Sequence, residues 1–289
     1  MADIGEIRER LQNLDTIEHL IRSMRAMSAI RWRKAKNRLY AAQRYAERVQ
    51  QQLSLVASYP TPLVRGVARL GEQKTRTALI VVGSDHGLCG TFNSVLFHTA
   101  DVYIERWREE GREVQIIALG KYARRYYCDR TEMCSLLWEH RFPLTHVVSF
   151  LETRDIWQTI STLYRESNLD ELYLIYNYFI SFGSYKQRIV RLLPPELTPL
   201  QMEADALPIM GSDATELQRL LLVEHLALQL YLGLVESMVS EQGARLQAMD
   251  AAKANIDDRS AELTRTYNVA RQEQITQEML EISSGSASV

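Results

Sequence analysis

The stretch SEQGARLQAMDAAKANIDDRSAELTRTYNVARQEQITQEMLEI occupies residues 240–282, inside a longer proline-free segment, residues 213–283. Apolar side chains recur through the longer segment mostly at helical spacing. They are Leu217, Leu220, Leu221, Leu226, Leu230, Leu234, Met238, Leu246, Met249, Ile256, Leu263, Tyr267, Ala270, Ile275, Met279 and Ile282. Gly-Ser-Asp at 211–213, with Glu216 three residues on, is typical of a capping box. The segment therefore predicts one helix of about 70 residues, which would be ~105 Å long.

A second long helix is predicted at the other end of the chain. Residues 3–58 contain no proline and only one glycine, Gly5, and their apolar positions also step mostly by three and four. The sequence YPTP at 59–62 ends this helix, because proline cannot continue the hydrogen-bond ladder. Long helices take most of their stability from packing an apolar face. We therefore expect the two terminal helices to pair as an antiparallel coiled coil, with the longer C-terminal helix extending past its partner.

Charge is distributed unevenly between these two helices, although the whole chain has a net charge of only −2. Residues 22–48 carry nine basic side chains and one acidic one, whereas residues 213–282 carry six basic and twelve acidic side chains. Opposite signs favour pairing of the helices, and they also indicate a partner surface. The basic helix could contact nucleic acid or an acidic protein, or could simply be solvated. Its few aromatics, Trp32 and Tyr40 before Tyr45, are fewer than single-strand nucleic-acid binders use.

The middle of the chain has an α/β pattern. Buried strands are predicted at 77–82, 114–119, 172–176 and 189–193, and helices at 93–110 and 155–166. Alternation of strands and helices predicts a small parallel sheet with right-handed crossovers, as in Rossmann-like domains. The predicted fold class is thus α/β with a long antiparallel coiled coil. The predicted domains are an N-terminal helix (1–58), a central α/β domain (59–212) and a C-terminal helix (213–289).

One glycine-rich loop could carry chemistry. GSDHGLCG at 83–90 follows the first strand, where such a loop can hold a phosphate on its backbone N–H groups. Its spacing fits neither common phosphate-binding pattern, so a structural turn is the alternative. Asp85, His86 and Cys89 could form a nucleophile set, but the chain supplies no complete catalytic pattern. The six histidines have no zinc-binding spacing, and we expect no cofactor or metal.

The cellular setting is also constrained by the sequence. The three cysteines form no CxxC and indicate a reducing compartment. The start, MADIGEIRER, has no apolar core of a signal peptide. Unbroken apolar runs are shorter than the ~20 residues of a membrane span. We therefore expect membrane association only through partners.

Several motifs together resemble the gamma subunit of rotary F-type ATP synthases. At the C-terminus they are SEQ-x-AR-x-x-AM-x-AA at 240–252 and YN-x-ARQ-x-x-ITQE-x-x-EI at 267–282. Elsewhere they are EIRER at 6–10, Met24, R-x-RKA at 31–35, and SD-x-GLCG at 84–90 with Asn93. The similarity covers the whole chain. His86 and Thr91 depart from the family's usual residues, which indicates a somewhat divergent bacterial member.

The resemblance implies a central rotor shaft, not an enzyme. Such a shaft couples proton or sodium flow to ATP synthesis or hydrolysis in the hexamer of alpha and beta subunits. The implied partners are the alpha and beta subunits, the epsilon subunit and the membrane c ring, on the cytoplasmic face of the bacterial inner membrane. The implied contact residues are Met24, Arg33 and Lys34, facing an acidic segment of beta, and Arg245, Gln272, Thr276 and Glu278, facing the catalytic ring. The alternative function is a coiled-coil adaptor or nucleic-acid-binding protein that uses the basic helix 22–48.

Overall fold

The computed structural model describes residues 4–57, 75–130, 132, 134–142, 147–195 and 213–286, with side chains to residue 280 in the last helix. The described helices are α1 (Ile4–Val56), α2 (Phe92–Glu109), α3 (Lys121–Cys128), α4 (Phe150–Glu166) and α5 (Ala214–Ser286). The strands are β1 (Arg76–Val82), β2 (Glu113–Leu119), β3 (Ser135–His140), β4 (Glu171–Ser181) and β5 (Ser184–Leu193). Both long terminal helices are therefore confirmed. The sequence analysis missed α3 and β3.

The five strands form one sheet in the order β3-β2-β1-β4-β5. β1 pairs in parallel with both β2 and β4, and β2 pairs in parallel with β3. The parallel pairing predicted for the three central strands is thus confirmed. The predicted strand at 189–193 is the second half of β5, which runs antiparallel to β4. The hairpin turn between them holds Gly183 at φ +71°, a conformation that favours glycine.

Helices cover both faces of the sheet, as expected for a parallel sheet with buried strands. On one face, apolar side chains of α2 and α3 pack on β1 and β2, with Leu96, Ile104 and Tyr127 among the most buried. On the other face, α4 and the first half of α5 pack on the same strands and on β4. Leu230 and Leu234 of α5 lie in this second core. The sheet therefore holds a long stretch of the C-terminal helix as one of its covering helices.

α1 buries a regular seam of small and aliphatic side chains. They are Ala35, Leu39, Ala42, Ala46, Val49, Leu53 and Val56. The steps alternate between four and three residues, which is the 3.5-residue period of a coiled coil. Leu228, Tyr231 and Val235 of α5 pack against this seam. The contacts Gln43–Glu236 and Tyr45–Glu224 run in opposite chain directions, so the pairing is antiparallel, as predicted.

The described chain divides into two compact units, Met1–Ala29 with Arg245–Val289, and Ile30–Ala244. In the unit formed by the two chain ends, Arg25 contacts Asp250 (2.5 Å) and Lys253 contacts Glu18 (3.9 Å), again an antiparallel pattern. In the same unit, every side chain of residues 271–280 is exposed. The division into domains 1–58, 59–212 and 213–289 stays a prediction.

The structure shows how α5 begins and how much of its most apolar stretch is buried. Asp213 accepts a hydrogen bond from the Thr215 N–H (2.9 Å), so it caps the helix. Glu216 contacts Arg219 with both carboxylate oxygens, in place of the reciprocal capping-box bond. Within Ala214–Leu280, one window is long and apolar enough to cross a bilayer by composition alone, and 56% of it is buried inside the protein.

Candidate partner-contact surfaces

The glycine-rich loop at 83–90 is tied to the sheet by its own polar side chains. The Asp85 carboxylate accepts hydrogen bonds from the Lys121 N–H (2.7 Å) and the Phe142 N–H (2.8 Å). These bonds join the end of β1 to the start of α3 and to the segment after β3. Gly90 has φ +59°, a conformation that L side chains rarely adopt. The geometry therefore supports the structural turn.

Asn93, in the first turn of α2, contacts side chains on both sides of Asp85. The side-chain nitrogen of Asn93 donates to the Ser84 hydroxyl (2.7 Å) and lies 3.6 Å from the Cys89 sulfur. The side-chain oxygen of Asn93 accepts a hydrogen bond from the Ser84 backbone N–H (3.0 Å). Cys89 is 3% exposed. The Cys89 sulfur also lies 3.9 Å from the Ser84 hydroxyl, so these contacts hold the buried thiol within the loop. Among the described residues, no three His, Cys, Asp or Glu side chains are grouped to hold a metal ion.

Some basic side chains of segment 22–48 bind acidic or polar groups of the same chain. Arg25 forms an ion pair with Asp250 in the unit of the chain ends. Arg38 donates to the backbone carbonyl of Val148 (2.9 Å), next to the start of α4. These side chains hold the chain's own elements together, so the segment is not a uniformly solvated basic face.

Arg33 and Lys34, two of the predicted contact residues, lie on α1 in the unit that contains the sheet. Both side chains are exposed. Beside them, the Lys36 ammonium lies 4.8 Å from the centre of the Trp32 ring, and that ring meets Phe182 edge-on at 5.3 Å. Because Phe182 is 49% exposed, this part of the surface combines positive charge with aromatic area, a composition common at protein interfaces.

The other predicted contact residues lie in the unit of the two chain ends, in different environments. Met24 is half-buried on α1, and Arg245 is 2% exposed on α5. Gln272, Thr276 and Glu278 are all exposed near the end of α5, where the Thr276 hydroxyl donates to the Gln272 carbonyl (2.8 Å). These three residues share one exposed stretch. Their roles, and those of Met24 and Arg245, stay predictions.

Two buried polar residues were missed by the sequence analysis. Asn177, in β4, has no exposed surface, and Glu236, in α5, is 5% exposed. Burial raises the pKa of Glu236, against smaller opposing effects of the Tyr176 hydroxyl, the Arg188 charge and the Gln43 amide. An amide inside the apolar sequence of β4 was the available signal for Asn177. Glu236 gave a similar signal, as a carboxylate on an otherwise apolar stretch of helix.

Comparisons with known proteins agree with this architecture. The protein family described as ATP synthase matches residues 3–289. The ATP synthase gamma chain of Desulfitobacterium hafniense is 31% identical, with all of both chains covered. The gamma chain of Moorella thermoacetica is 29% identical over 99% of this chain and 98% of that protein.

Solved structures show the same fold at lower identity. The rotor of the Euglena gracilis mitochondrial ATP synthase has a chain with a TM-score of 0.63 and 17% identity, covering 94% of this chain and 98% of that one. A chain in the structure of the central stalk and c ring of the Tetrahymena thermophila mitochondrial ATP synthase has a TM-score of 0.57 and 19% identity, covering 81% of this chain and 99% of that one. The family match over residues 3–289 and the 31% identity to a gamma chain over the full length show that the chain belongs to the ATP synthase gamma-chain family.

Proposed function

We propose that this chain is the central rotor shaft of a rotary ATP synthase, which couples ion flow through a membrane ring to ATP synthesis or hydrolysis. The observation that carries the proposal is the match of both terminal helices and the sheet domain to gamma chains over the full length. The family does not favour the alternative of a nucleic-acid adaptor. Arg25 and Arg38, two of the nine basic side chains available to that alternative, bind groups within the chain.

The proposed mechanism is a differential contact, not a chemical step in this chain. The nucleotide sites would lie in the alpha and beta subunits, around the paired terminal helices. A ligand or partner shifts an equilibrium only when it interacts differently with the two states. Each beta subunit would meet a different side of the shaft, because α1 is basic and α5 is acidic. Rotation would then change the nucleotide affinity of each site in turn.

The exposed residues suit such contacts. Arg33 and Lys34 present two positive charges on α1, and an acidic segment of beta is the proposed partner. Gln272, Thr276 and Glu278 offer polar groups on an exposed stretch of α5. We propose that these residues contact the catalytic ring.

The remaining proposed contacts and the location follow from the same function. Met24 and Arg245 would complete the contact set at positions where the shaft is partly or fully packed. The sheet domain would rest on the epsilon subunit and the c ring. The complex would lie at the cytoplasmic face of a bacterial inner membrane, with this chain peripheral to it. The isolated chain would neither hydrolyse ATP nor bind it tightly.

Co-purification tests the proposal most directly. The tagged chain, expressed with alpha and beta subunits from a close relative, is expected to purify with a hexamer of those subunits and to support ATP hydrolysis. A chain lacking residues from Gln272 onward is expected to keep its folded sheet domain, because the exposed stretch at 271–280 contributes little to folding. It should nevertheless lose coupling between rotation and hydrolysis.

The outcomes separate the two functions. Failure to capture the hexamer, together with a salt-sensitive shift of DNA by the pure chain, would favour the adaptor. ATP turnover by the pure chain would contradict a non-catalytic shaft. Equal loss of folding and coupling in the truncated chain would count against a separate contact role for its end.

A further inference from the structure

The crevice at which open α/β sheets usually bind ligands is filled here by the chain's own last helix. Such crevices lie outside the carboxyl ends of the strands, where the strand order reverses. In this sheet that point lies between β1 and β4, since β2 and β3 lie on one side of β1 and β4 on the other. The Ser237 hydroxyl of α5 donates to the carbonyl of Val82, the last residue of β1 (3.4 Å). One helical turn on, Ser240 donates to the carbonyl of Asn177 in β4 (3.1 Å).

Asn177 connects these elements. Its amide nitrogen donates to the Phe92 carbonyl at the start of α2 (3.0 Å), and its side-chain oxygen accepts from Gln187 of β5 (2.9 Å). Its own backbone carbonyl accepts from Ser240. Since Asn177 is fully buried, each of these bonds would be costly to lose. One residue thus joins α2, β5 and α5 around β4.

Small residues let α5 approach the sheet closely at both ends of this contact. A Cβ on Gly233 would lie 2.7 Å from the Leu174 side chain, and one on Gly243 would lie 3.2 Å from the Gly183 backbone nitrogen. Ala244, the next residue, belongs to a small apolar cluster with Cys89 and Phe92. The helix is therefore in close contact with the sheet from Gly233 to Ala244.

We infer that Asn177 and Ser240 are positioning residues that hold α5 in one angular register on the sheet, so that torque applied to the sheet domain passes into the helix without slipping. The hydrophobic effect by itself does not fix the angle of the helix about its axis, because it is not directional. Hydrogen bonds to buried carbonyls are directional, so a rotation of the helix would leave the hydroxyl donor and the carbonyl acceptor unpaired. The holding of α5 in one angular register by Asn177 and Ser240, here the register lock, can be tested without the proposed function. The transmission of torque, here the torque role, rests on the proposed function.

The register lock can be tested on the purified full-length chain through its three cysteines. Cys89 is buried in the cluster that includes Ala244 of α5, Cys128 is exposed, and Cys134 is buried in the separate core that α2 and α3 form with the sheet. Loosening of α5 should expose Cys89 alone. Global unfolding should expose Cys134 as well.

The test variant is Ser240→Ala, and maleimide labelling of each cysteine is followed by mass spectrometry. Loss of a hydrogen bond worth about 1 kcal/mol corresponds to an about fivefold faster reaction of Cys89, with Cys128 and Cys134 unchanged. Ser161→Ala is the matched control, because it removes a surface hydroxyl from a helix and has the same effect on helix propensity. Unchanged labelling of Cys89, or equal acceleration at Cys89 and Cys134, would overturn the register lock.

A second variant and a second readout complete the test. Asn177→Leu removes both side-chain bonds of Asn177 and should accelerate Cys89 further. If that variant does not fold, Ser240→Ala still decides. In an assembled complex with a bead on the shaft, Ser240→Ala should broaden the angular fluctuations of the held rotor relative to Ser161→Ala. Equal widths would overturn the torque role, whereas failure of the unmodified chain to form a rotating complex would overturn the proposed function and leave the thiol result standing.

Discussion

The two halves of α5 differ in burial, most clearly between residues 226–244 in the first half and residues 271–280 in the second. From Leu226 to Ala244 most side chains are buried against the sheet and α1, whereas from residue 271 to 280 all of them are exposed. The exposed end still carries apolar side chains, with Ile275 44% and Met279 68% exposed. Burial within this chain accounts for the sequence of the first half. It cannot account for the apolar side chains at 271–280, which are better explained by contacts outside the chain.

The largest expected effect tests the difference in burial along α5 with one leucine from each part of the helix. Leu230 is fully buried in the core between α5 and the sheet, and Leu280 is 65% exposed. Leu230→Ala is expected to lower the free energy of unfolding by about 2–5 kcal/mol, because it removes buried methyl groups and leaves a cavity. Leu280→Ala, with the same chemical change, should stay within about 0.5 kcal/mol.

Urea unfolding of both leucine variants measures the difference. Similar losses in the two would show that the end of α5 is packed in the isolated chain. Its exposed apolar side chains would then need no outside partner.

A smaller effect is expected from Glu236, which places a carboxylate inside the buried half. Burial raises its pKa in the folded chain above the ordinary value of 4.5. Between that ordinary value and the raised one, the folded chain keeps a proton that the unfolded chain has released, so stability falls as pH rises through this window. Glu236→Gln cannot ionise, so it should be more stable than the wild type above the window. The gain should vanish below about pH 4.5.

Unfolding of Glu236→Gln and wild type across this pH range checks the sign. Glu278→Gln, an exposed position on the same helix, is the matched control and should change stability at neutral pH by no more than about 0.5 kcal/mol. A Glu236→Gln variant that loses stability at neutral pH would show that the carboxylate's hydrogen bonds outweigh its burial.

The sequence predicted the long helices and the central strands because their patterns are strong and local. The 3.5-residue seam of α1 and the apolar runs of β1, β2 and β4 need no tertiary information. The sequence analysis missed α3 and β3 for two different reasons. α3 has only eight residues, and β3, SLLWEH, is mostly half-buried at the sheet edge and shows no clear alternation.

The antiparallel direction of β5 and the role of Asn177 also lay beyond a local pattern. The hairpin at Phe182-Gly183 fits a two-residue turn only once both flanking strands are known to begin and end there. Asn177 stands in an apolar strand, but its partners Phe92, Gln187 and Ser240 come from three other elements. Such a long-range network can be read only from the folded chain.

The smallest effect on folding is expected at Thr276, where the exposed half can be tested at one side chain. Its hydroxyl donates to the Gln272 carbonyl within the same helix (2.8 Å). Thr276→Ala removes that local bond but improves helix propensity, so the free energy of unfolding should change by no more than about 0.5 kcal/mol. In an assembled complex, the variant should lower the ratio of ions pumped to ATP hydrolysed, whereas Thr266→Ala, which removes an equivalent bond to Glu262, should lower it less. If both variants leave that ratio unchanged, Thr276 is not a coupling contact, and any contact made by this exposed stretch must come from its other side chains.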